Sequence, residues 1–273
     1  MFRECFENVQ KNAPLIHNIT NYVTVNDVAN AILACGASPI MADEPEEAED
    51  ITSICGGLNI NLGTLNKRTV EAMFLAGKKA NALGHTVLLD PVGAGASRYR
   101  SETASRLVQE VSFDVIRGNV SELKALAMGS STTRGVDADA ADAVREENLD
   151  DMAAFTKNYA KITGSIIAIT GAIDLIADSS RCFVIRNGRP EMSRITGTGC
   201  QLSGIMTAYV TANRENPLEA AAAAVALMGL AGEIGWSRMQ PGDGNSTYRN
   251  RIIDAIDNMT GDQLEQDARM EIR

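Results

Sequence analysis

The strongest chemical signal in the sequence is a cysteine placed directly after a glycine-rich segment. Thr196–Gly199 precedes Cys200, and an apolar helical pattern follows. Glycines allow the backbone to approach an anion, and the first N–H groups of a helix point at that anion with a favourable dipole. The same field is expected to lower the pKa of Cys200 toward the thiolate, which can act as a nucleophile or accept a proton. A glycine-rich helix start with a small buried cysteine is the alternative interpretation.

Acidic and amide side chains follow two predicted strands. Asp90 ends an apolar run and precedes a proline, so its carboxylate either reaches a magnesium ion or anchors an Asp-Pro turn. Asn119 and Glu122 lie three residues apart at a predicted helix start. They either orient water or a divalent cation against phosphates, or they cap the helix. These residues alone leave both choices open.

Two other segments give weaker signals. Gly93 and Gly95 match part of a dinucleotide-binding fingerprint, but the third glycine is missing and no acidic partner is clearly placed about 20 residues on. His17 lies in a polar-rich stretch and is predicted to be structural rather than catalytic. The other histidine, His85, is far from it in sequence, which excludes a histidine-rich metal centre.

Composition narrows the class of protein. The chain has 273 residues, and its 25 Lys and Arg against 35 Asp and Glu give a net charge of −10. This balance leaves no basic surface for a nucleic-acid backbone. Five widely spaced cysteines without a C-x-x-C pair argue against a disulfide framework and a structural zinc site. Since no signal segment is visible and the apolar run Ala220–Gly232 is too short for a membrane span, we expect a cytoplasmic protein.

Short apolar runs alternate with longer helical patterns along the chain. This alternation predicts an α/β fold, with a mainly parallel central sheet and helices on both faces. No repeat or linker divides the sequence, so residues 1–273 are predicted to form a single domain. The predicted strands are Pro39–Met41, Leu58–Leu62, Thr86–Asp90, Val115–Arg117, Ser165–Thr170, Leu175–Asp178 and Cys182–Arg186, the last two as an antiparallel hairpin at one edge.

Helices are predicted between and after these strands. Ligands in such folds collect beyond the carboxyl ends of the strands, where Asp90, Asn119 and Thr170 are placed. The acidic run Asp43–Asp50 is predicted to begin a solvated helix near Pro45. The other predicted helices are Val23–Ala34, Asn66–Leu83, Glu102–Val111, Ser121–Met128, Asp151–Thr163, Cys200–Asn213, Pro217–Met239 and Ser246–Thr260.

Taken together, the motifs closely resemble the hydroxyethylthiazole kinase family. The resemblance runs from about Ala13 to Pro241 and is carried, in order, by PLIHNITNYVTVNDVANAILACGASPIMADEPEE, DPVGAGAS, IRGNVSEL, AITG and TGTGCQLSG. It implies a ribokinase-like fold and transfer of the ATP γ-phosphate to the primary hydroxyl of 4-methyl-5-(2-hydroxyethyl)thiazole, in thiamine precursor salvage. It also implies Mg²⁺ as cofactor and a homotrimer with active sites at subunit interfaces.

The resemblance also implies a role for each matching residue. Cys200 falls at the site of phosphoryl transfer, where many ribokinase-like relatives hold an aspartate that takes the hydroxyl proton. We therefore expect Cys200 to assist proton removal without being indispensable, and Cys200→Asp to preserve activity. The other matches are Asn21, Met41 and Gly197 for substrate binding, Arg117 and Thr170 for ATP binding, and Asp90 and Glu122 for magnesium and phosphate.

The implied trimer carries one further expectation. The segment that contains Asn21 and Met41 is expected to face the Cys200 region of a neighbouring chain. This expectation rests on the resemblance alone.

Three alternatives remain open. The first is another ribokinase-like small-alcohol kinase, such as a hydroxymethylpyrimidine kinase, against which the N-terminal block and the cysteine in place of aspartate argue. The second is a hydrolase or acyltransferase with Cys200 as covalent nucleophile, which requires His17 or His85 as triad partner. The third is a non-catalytic nucleotide sensor, which the complete set of motifs disfavours.

Overall fold

The central element of the fold is one sheet, seen in a computed structural model that describes residues 1–129 and 143–273. Within those residues the strand order is β2-β1-β3-β4-β5-β6-β7-β8-β9. Strands β1 to β6 pair in parallel, and β7, β8 and β9 join in antiparallel register. The strands are β1 Leu15–Ile19, β2 Ser38–Met41, β3 Gly57–Asn61, β4 Thr86–Asp90, β5 Val115–Gly118, β6 Ile166–Ile169, β7 Asp174–Ala177, β8 Cys182–Ile185 and β9 Met270–Ile272.

Helices cover both faces of the sheet, because neighbouring strand residues point to opposite sides. Leu88 of β4 packs into the apolar cluster on one face, while Val87 and Leu89 pack into the cluster on the other. The first face is covered by α1 Phe2–Asn12, α2 Val25–Ala34, α8 Thr198–Ala212, α9 Pro217–Ser237, α10 Asn245–Asp257 and α11 Gly261–Asp267. The second is covered by α3 Pro45–Ile54, α4 Lys67–Leu83, α5 Arg98–Glu110, α6 Val120–Gly129 and α7 Leu149–Thr163.

The predicted α/β architecture with a mainly parallel sheet is confirmed, with one error at the edge. The hairpin Leu175–Asp178 and Cys182–Arg186 corresponds to β7 and β8, but it does not form the edge of the sheet. β9 pairs with β8 beyond it, with Val184 opposite Glu271. The sequence hides this strand, because three residues with only two apolar side chains do not produce a recognisable alternation.

Two elements near the N-terminus are also absent from the predictions. β1 carries His17 and Asn18, whose polar side chains interrupt the apolar pattern although both are buried. α1 places Phe2, Cys5, Phe6 and Val9 on one buried face, at helical spacing. By contrast, α3 begins at Pro45, as predicted from the acidic run.

Helix α9 is the one helix in the described residues that is long and apolar enough to cross a membrane. Its most apolar window is 83% buried inside the protein. This burial is typical of a core helix, and Ala220 to Ala226 all lie in the apolar cluster of the first face.

Candidate functional site

The carboxyl ends of four parallel strands bring polar residues to one edge of the sheet. Asn61 is the last residue of β3, Asp90 is the last residue of β4, and Arg117 lies next to the end of β5. Thr170 follows β6 directly. Helix α8 begins beside them with Gly197 as its N-cap residue, in the left-handed conformation at φ 83°. The edge predicted to collect ligands therefore contains the predicted site residues.

Asp90 is the most buried charged group of this edge. Its side chain is fully buried, and its Oδ2 atom accepts hydrogen bonds from Asn61 Nδ2 at 2.8 Å and Ser203 Oγ at 2.8 Å. Arg117 Nη1 lies 3.3 Å from the same oxygen. Burial raises the pKa of Asp90, while the Arg117 charge opposes that rise. The second oxygen, Oδ1, is buried without a hydrogen-bond partner, so it is an acceptor left free.

Cys200 lies in the first turn of α8 and is held by two amides. Asn21 Nδ2 lies 3.2 Å and Asn61 Nδ2 lies 3.3 Å from its Sγ atom. Burial raises the pKa of the Cys200 thiol, and the nearby Asp90 carboxylate raises it further. The prediction of a lowered pKa is therefore wrong, because removal of the thiolate from water outweighs the helix dipole and the amide donors.

The orientation of the Asn61 amide is fixed by its neighbours. Its Oδ1 atom accepts hydrogen bonds from the backbone N–H of Gly63 at 2.9 Å and from Asn21 Nδ2 at 2.9 Å. A backbone N–H can only donate, so the oxygen must face Gly63 and the NH₂ group must face Asp90 and Cys200. Asn61 thus connects the carboxylate of one strand with the sulfur of the helix.

Arg117 connects Asp90 with the cleft next to it. Its Nη2 atom donates to Thr170 Oγ1 at 2.6 Å, and its side chain is only 12% exposed. A Cβ atom built on Gly199 would lie 2.6 Å from both terminal nitrogens of Arg117. Glycine at position 199 therefore lets the start of α8 approach the guanidinium.

A cleft of about 730 Å³ opens beside Arg117 and the start of α8. Its polar part includes Arg117, Thr170 and Asp174, and its apolar part includes Met192 and Met228. Asp174 Oδ1 accepts a hydrogen bond from the Gly171 N–H at 2.8 Å, and burial raises the pKa of this carboxyl to about 7. The cleft therefore combines polar and charged side chains with apolar ones, as small-molecule sites commonly do.

Glu122 caps helix α6. Its Oε2 atom accepts from the Asn119 N–H at 2.9 Å, while Asn119 Oδ1 accepts from the Glu122 N–H at 2.9 Å. Its Oε1 atom accepts from the Gly93 N–H at 2.9 Å. The geometry therefore supports the capping interpretation of Asn119 and Glu122, and both carboxylate oxygens of Glu122 already bind backbone donors.

The carboxylates of this edge fit a divalent cation only in part. Among the described residues no group of three or more His, Cys, Asp or Glu side chains is arranged to hold a metal ion. Asp90 nevertheless has the free oxygen Oδ1. Mg²⁺ commonly binds through one or two carboxylates together with substrate phosphates and water, so Asp90 meets this requirement and Glu122 lies close enough to raise the pKa of Asp90.

Met41 lies in a second, smaller cavity. This cavity has a volume of about 130 Å³ and is also lined by Tyr22, Val25 and Asn66. Asn21 does not line it; Asn21 contacts Cys200 within the same chain. Within the chain the loop after β1 therefore folds directly onto the start of α8, and the expectation that this segment faces the Cys200 region of a neighbouring chain stays a prediction.

The histidines do not reach Cys200. His17 Nδ1 lies 2.9 Å from Thr52 Oγ1, and His17 Nε2 lies 2.8 Å from the carbonyl oxygen of Ala42. His85 precedes β4, at the opposite end of the strand from Asp90. Neither ring can serve as a triad partner, which removes the basis of the hydrolase alternative, and the structural role predicted for His17 is confirmed.

The comparison of the whole sequence with known families decides between the remaining kinases. Residues 6–262 match the Hydroxyethylthiazole kinase family. The chain belongs to this family. The resemblance identified from the motifs is thereby confirmed, together with phosphotransfer as the class of reaction.

Individual hydroxyethylthiazole kinases match over nearly the full chain. The hydroxyethylthiazole kinase of Clostridium acetobutylicum is 58% identical over 271 residues, which are 99% of either chain. The solved hydroxyethylthiazole kinase of Pyrococcus horikoshii has a TM-score of 0.88 at 30% identity and covers 100% of this chain and 98% of its own. A pyridoxal kinase from Staphylococcus aureus in complex with ADP has a TM-score of 0.62 at 16% identity. The match covers 95% of this chain and 98% of the pyridoxal kinase chain, and it shows the shared fold.

Three residues of this hydroxyethylthiazole kinase family site are missing from the sequence predictions. Asn61 was hidden inside the predicted strand Leu58–Leu62, although a strand ending at Asn61 would have placed its amide beside Asp90. Ser203 lies three residues after Cys200, which is the spacing of one helix face. Asp174 carries no signal beyond its position at the start of a short strand.

Proposed function

We propose that this chain transfers the γ-phosphate of ATP to the primary hydroxyl of 4-methyl-5-(2-hydroxyethyl)thiazole, in thiamine precursor salvage. The observation that carries the proposal is the convergence of Arg117, Thr170 and the start of α8 on one cleft, whose lining includes Thr198 and Gly199 directly before Cys200. Membership of the hydroxyethylthiazole kinase family gives the class of alcohol. Phosphoryl transfer depends mainly on positioning and charge stabilisation, which this arrangement supplies.

The triphosphate binds in the cleft, beside Arg117 and the first turn of α8. The backbone N–H groups of Thr198, Gly199 and Cys200 are the first donors of that helix, so they point at the transferred phosphoryl group. Arg117 is held by Asp90 and Thr170, and it adds a fixed positive charge to the same place. Both groups stabilise the charge on the phosphoryl oxygens during transfer.

Cys200 accepts the hydroxyl proton late in the reaction. The amides of Asn21 and Asn61 donate toward its sulfur and favour the thiolate, whereas burial and Asp90 oppose it. Since the raised pKa keeps most of Cys200 as the neutral thiol, only the thiolate fraction, which the two amides favour, can take the hydroxyl proton. The base therefore assists the transfer, and the helix N-terminus and Arg117 provide the larger part of the stabilisation.

Asp90, with Glu122 nearby, would hold Mg²⁺ on the polyphosphate, where the cation neutralises phosphate charge and orients the γ-phosphoryl group. Asp90 is suited to this role since its Oδ1 atom is unpaired while Asn61, Ser203 and Arg117 fix its other oxygen.

The alcohol binds toward the small cavity that contains Met41, which the loop after β1 lines through Tyr22. The predicted pocket residue Asn21 does not line this cavity, but it directly precedes the lining residue Tyr22 and its amide contacts Cys200. We further propose that the protein is a cytoplasmic homotrimer, in which the exposed Tyr22 and Val23, 78% and 58% accessible, are covered by a neighbouring copy.

A coupled ADP-release assay with MgATP tests the proposal. The hydroxyethylthiazole and hydroxymethylpyrimidine are compared as acceptors, and the phosphate ester is identified by mass spectrometry. Turnover of the thiazole alone is expected. Turnover of the pyrimidine alone would support the phosphotransfer site but show that its alcohol substrate is the pyrimidine. ADP binding without turnover of either alcohol would support a nucleotide sensor.

A further inference from the structure

The loop after β8 forms one wall of the large cleft. Asn187, Gly188 and Arg189 all line that cleft. The loop is tightly packed against α9, because a Cβ atom on Gly229 would lie 2.7 Å from the backbone carbonyl of Asn187. Small displacements of this loop therefore change the shape of the cleft.

The C-terminal segment holds this loop through the Asn187 amide. The backbone N–H of Arg269 donates to Asn187 Oδ1 at 2.7 Å, and Asn187 Nδ2 donates to the carbonyl oxygen of Asp267 at 3.2 Å. Asn187 itself is buried, and both hydrogen bonds are partly shielded from water. The Asn187 side chain thus connects the loop to the C-terminal segment through two hydrogen bonds to its backbone, as the backbone of a paired strand would.

Glu233 of α9 completes the same connection. Its Oε1 atom accepts from the Gly188 N–H at 2.7 Å and from Arg269 Nη2 at 2.6 Å. Although burial alone would raise the pKa of Glu233, the hydrogen bonds from Arg269 and Gly188 lower it. Arg269 Nη2 also donates to the carbonyl oxygen of Arg186 at 2.7 Å, so the guanidinium touches both the helix and the start of the loop.

We propose that Asn187, Glu233 and Arg269 form a C-terminal clasp that positions the cleft wall for the nucleotide donor. The proposal rests on the function proposed above, in which the large cleft binds ATP. Arg269 does not line the cleft, and its guanidinium acts as a positioning group on the loop through the Arg186 carbonyl and through Glu233, which holds Gly188. Loss of its side chain is expected to weaken nucleotide binding while leaving alcohol binding and the chemical step in place.

Arg269→Ala tests this proposal, with Arg273→Ala as its matched control. Arg273 belongs to the same terminal segment and forms ion pairs with Glu271 and Asp150, but its backbone pairs with Cys182 at the opposite end of β8. We expect Arg269→Ala to raise the KM for MgATP and the Kd for ADP by about fivefold or more, the effect of one lost interaction of ordinary strength. The KM for the alcohol and kcat should stay within about twofold, and Arg273→Ala should change none of these constants.

A second variant protects the test against a folding defect. Glu233→Gln keeps an acceptor for the Gly188 N–H but removes the charge that binds Arg269, so it should weaken ADP binding in the same direction in a chain with an unchanged melting temperature. Equal ADP binding in wild type, Arg269→Ala and Glu233→Gln would overturn the clasp, as would equal losses in Arg269→Ala and Arg273→Ala. Absence of ADP binding in the wild type would instead overturn the proposed function on which the clasp depends.

Discussion

Asn61 Nδ2 lies 3.3 Å from Cys200 Sγ, although the two residues are 139 positions apart in sequence. The same nitrogen donates to Asp90 Oδ2 at 2.8 Å. The residue expected to receive a proton and the residue expected to hold a metal are therefore connected by one amide, whose orientation the Gly63 N–H determines. A change at any of these three side chains alters the surroundings of the other two.

Cys200→Asp is expected to retain turnover, because an aspartate at the start of α8 can accept the same proton. Cys200→Ala removes the acceptor and should lower kcat by about a hundredfold, the smaller end of the range for general base catalysis, with little change in the KM for MgATP. The coupled ADP-release assay measures both effects. A folded Cys200→Asp enzyme that binds ATP and does not phosphorylate the alcohol would contradict the assisting role.

Ser203→Ala is expected to lower the free energy of unfolding by about 1–3 kcal/mol, since a buried carboxylate loses a donor that no water replaces. Ser53→Ala is the matched control, because the Ser53 hydroxyl donates to a carbonyl oxygen four residues earlier on an exposed helix face. Urea unfolding of both variants gives the comparison. Equal small losses in the two proteins would show that the Ser203 hydroxyl is not needed by Asp90.

Gly197→Ala is expected to reduce both stability and activity. The residue has a φ of 83°, and a Cβ atom would collide with Thr24 Cγ2. Thr24 donates to Asn21 Oδ1 at 3.1 Å, so its displacement disturbs the amide that contacts Cys200. We expect a loss of about 2 kcal/mol or more in unfolding free energy and at least a tenfold loss in kcat.

Gly84→Ala provides the control for that variant. Gly84 has a similar φ of 66°, but no atom lies within 4 Å of its Cβ position. Gly84→Ala should lower the free energy of unfolding by only about 1 kcal/mol, because alanine is strained in the left-handed conformation, and it should keep full activity. If both variants lost activity to a similar extent, the contact with Thr24 would not be the cause of the loss in Gly197→Ala.

Asp174 is expected to make stability depend on pH. Burial raises the pKa of its carboxyl to about 7 in the folded protein, from the usual 3.8. Between these values the folded state holds a proton that the unfolded state releases, so the contribution of Asp174 is full below about pH 4 and declines as the pH rises toward 7. The slope from this one group is at most about 1.4 kcal/mol per pH unit. Asp174→Asn should remove this part of the decline, and parallel wild-type and variant stability curves from pH 4 to 7 would contradict the raised pKa.

The general position of the site could be predicted from the sequence. Asp90 and Thr170 are predictable because each ends or directly follows a strand of a parallel sheet. The carboxyl ends of such strands lie at one edge of the sheet, however far apart the strands are in the sequence. Arg117 was assigned through the family resemblance, and it lies where β4 and β6 can both reach its guanidinium. Strand order itself was not needed for these assignments.

The electrostatic environment could not be predicted in the same way. The helix dipole acting on Cys200 is a local property, whereas its burial depends on Asn21 and Asn61 from two other segments. The strand that carries His17 was missed for a related reason. Its polar side chains look solvated in the sequence, but Thr52 and Ala42 satisfy both ring nitrogens inside the protein.

The helices that cover the first face of the sheet have a consequence for synthesis of the chain. Among the described residues, four of the six helices on this face, α8 to α11, are encoded after Gly197, whereas the strands β1 to β8 are all complete by Ile185. At a translation rate of about 5–20 residues per second, the apolar face of the sheet therefore stays uncovered for several seconds, until helices α8 to α11 have emerged from the ribosome. A nascent chain at this stage exposes apolar surface that a chaperone can bind, and ribosome stalling in the last quarter of the message is expected to leave it prone to aggregation.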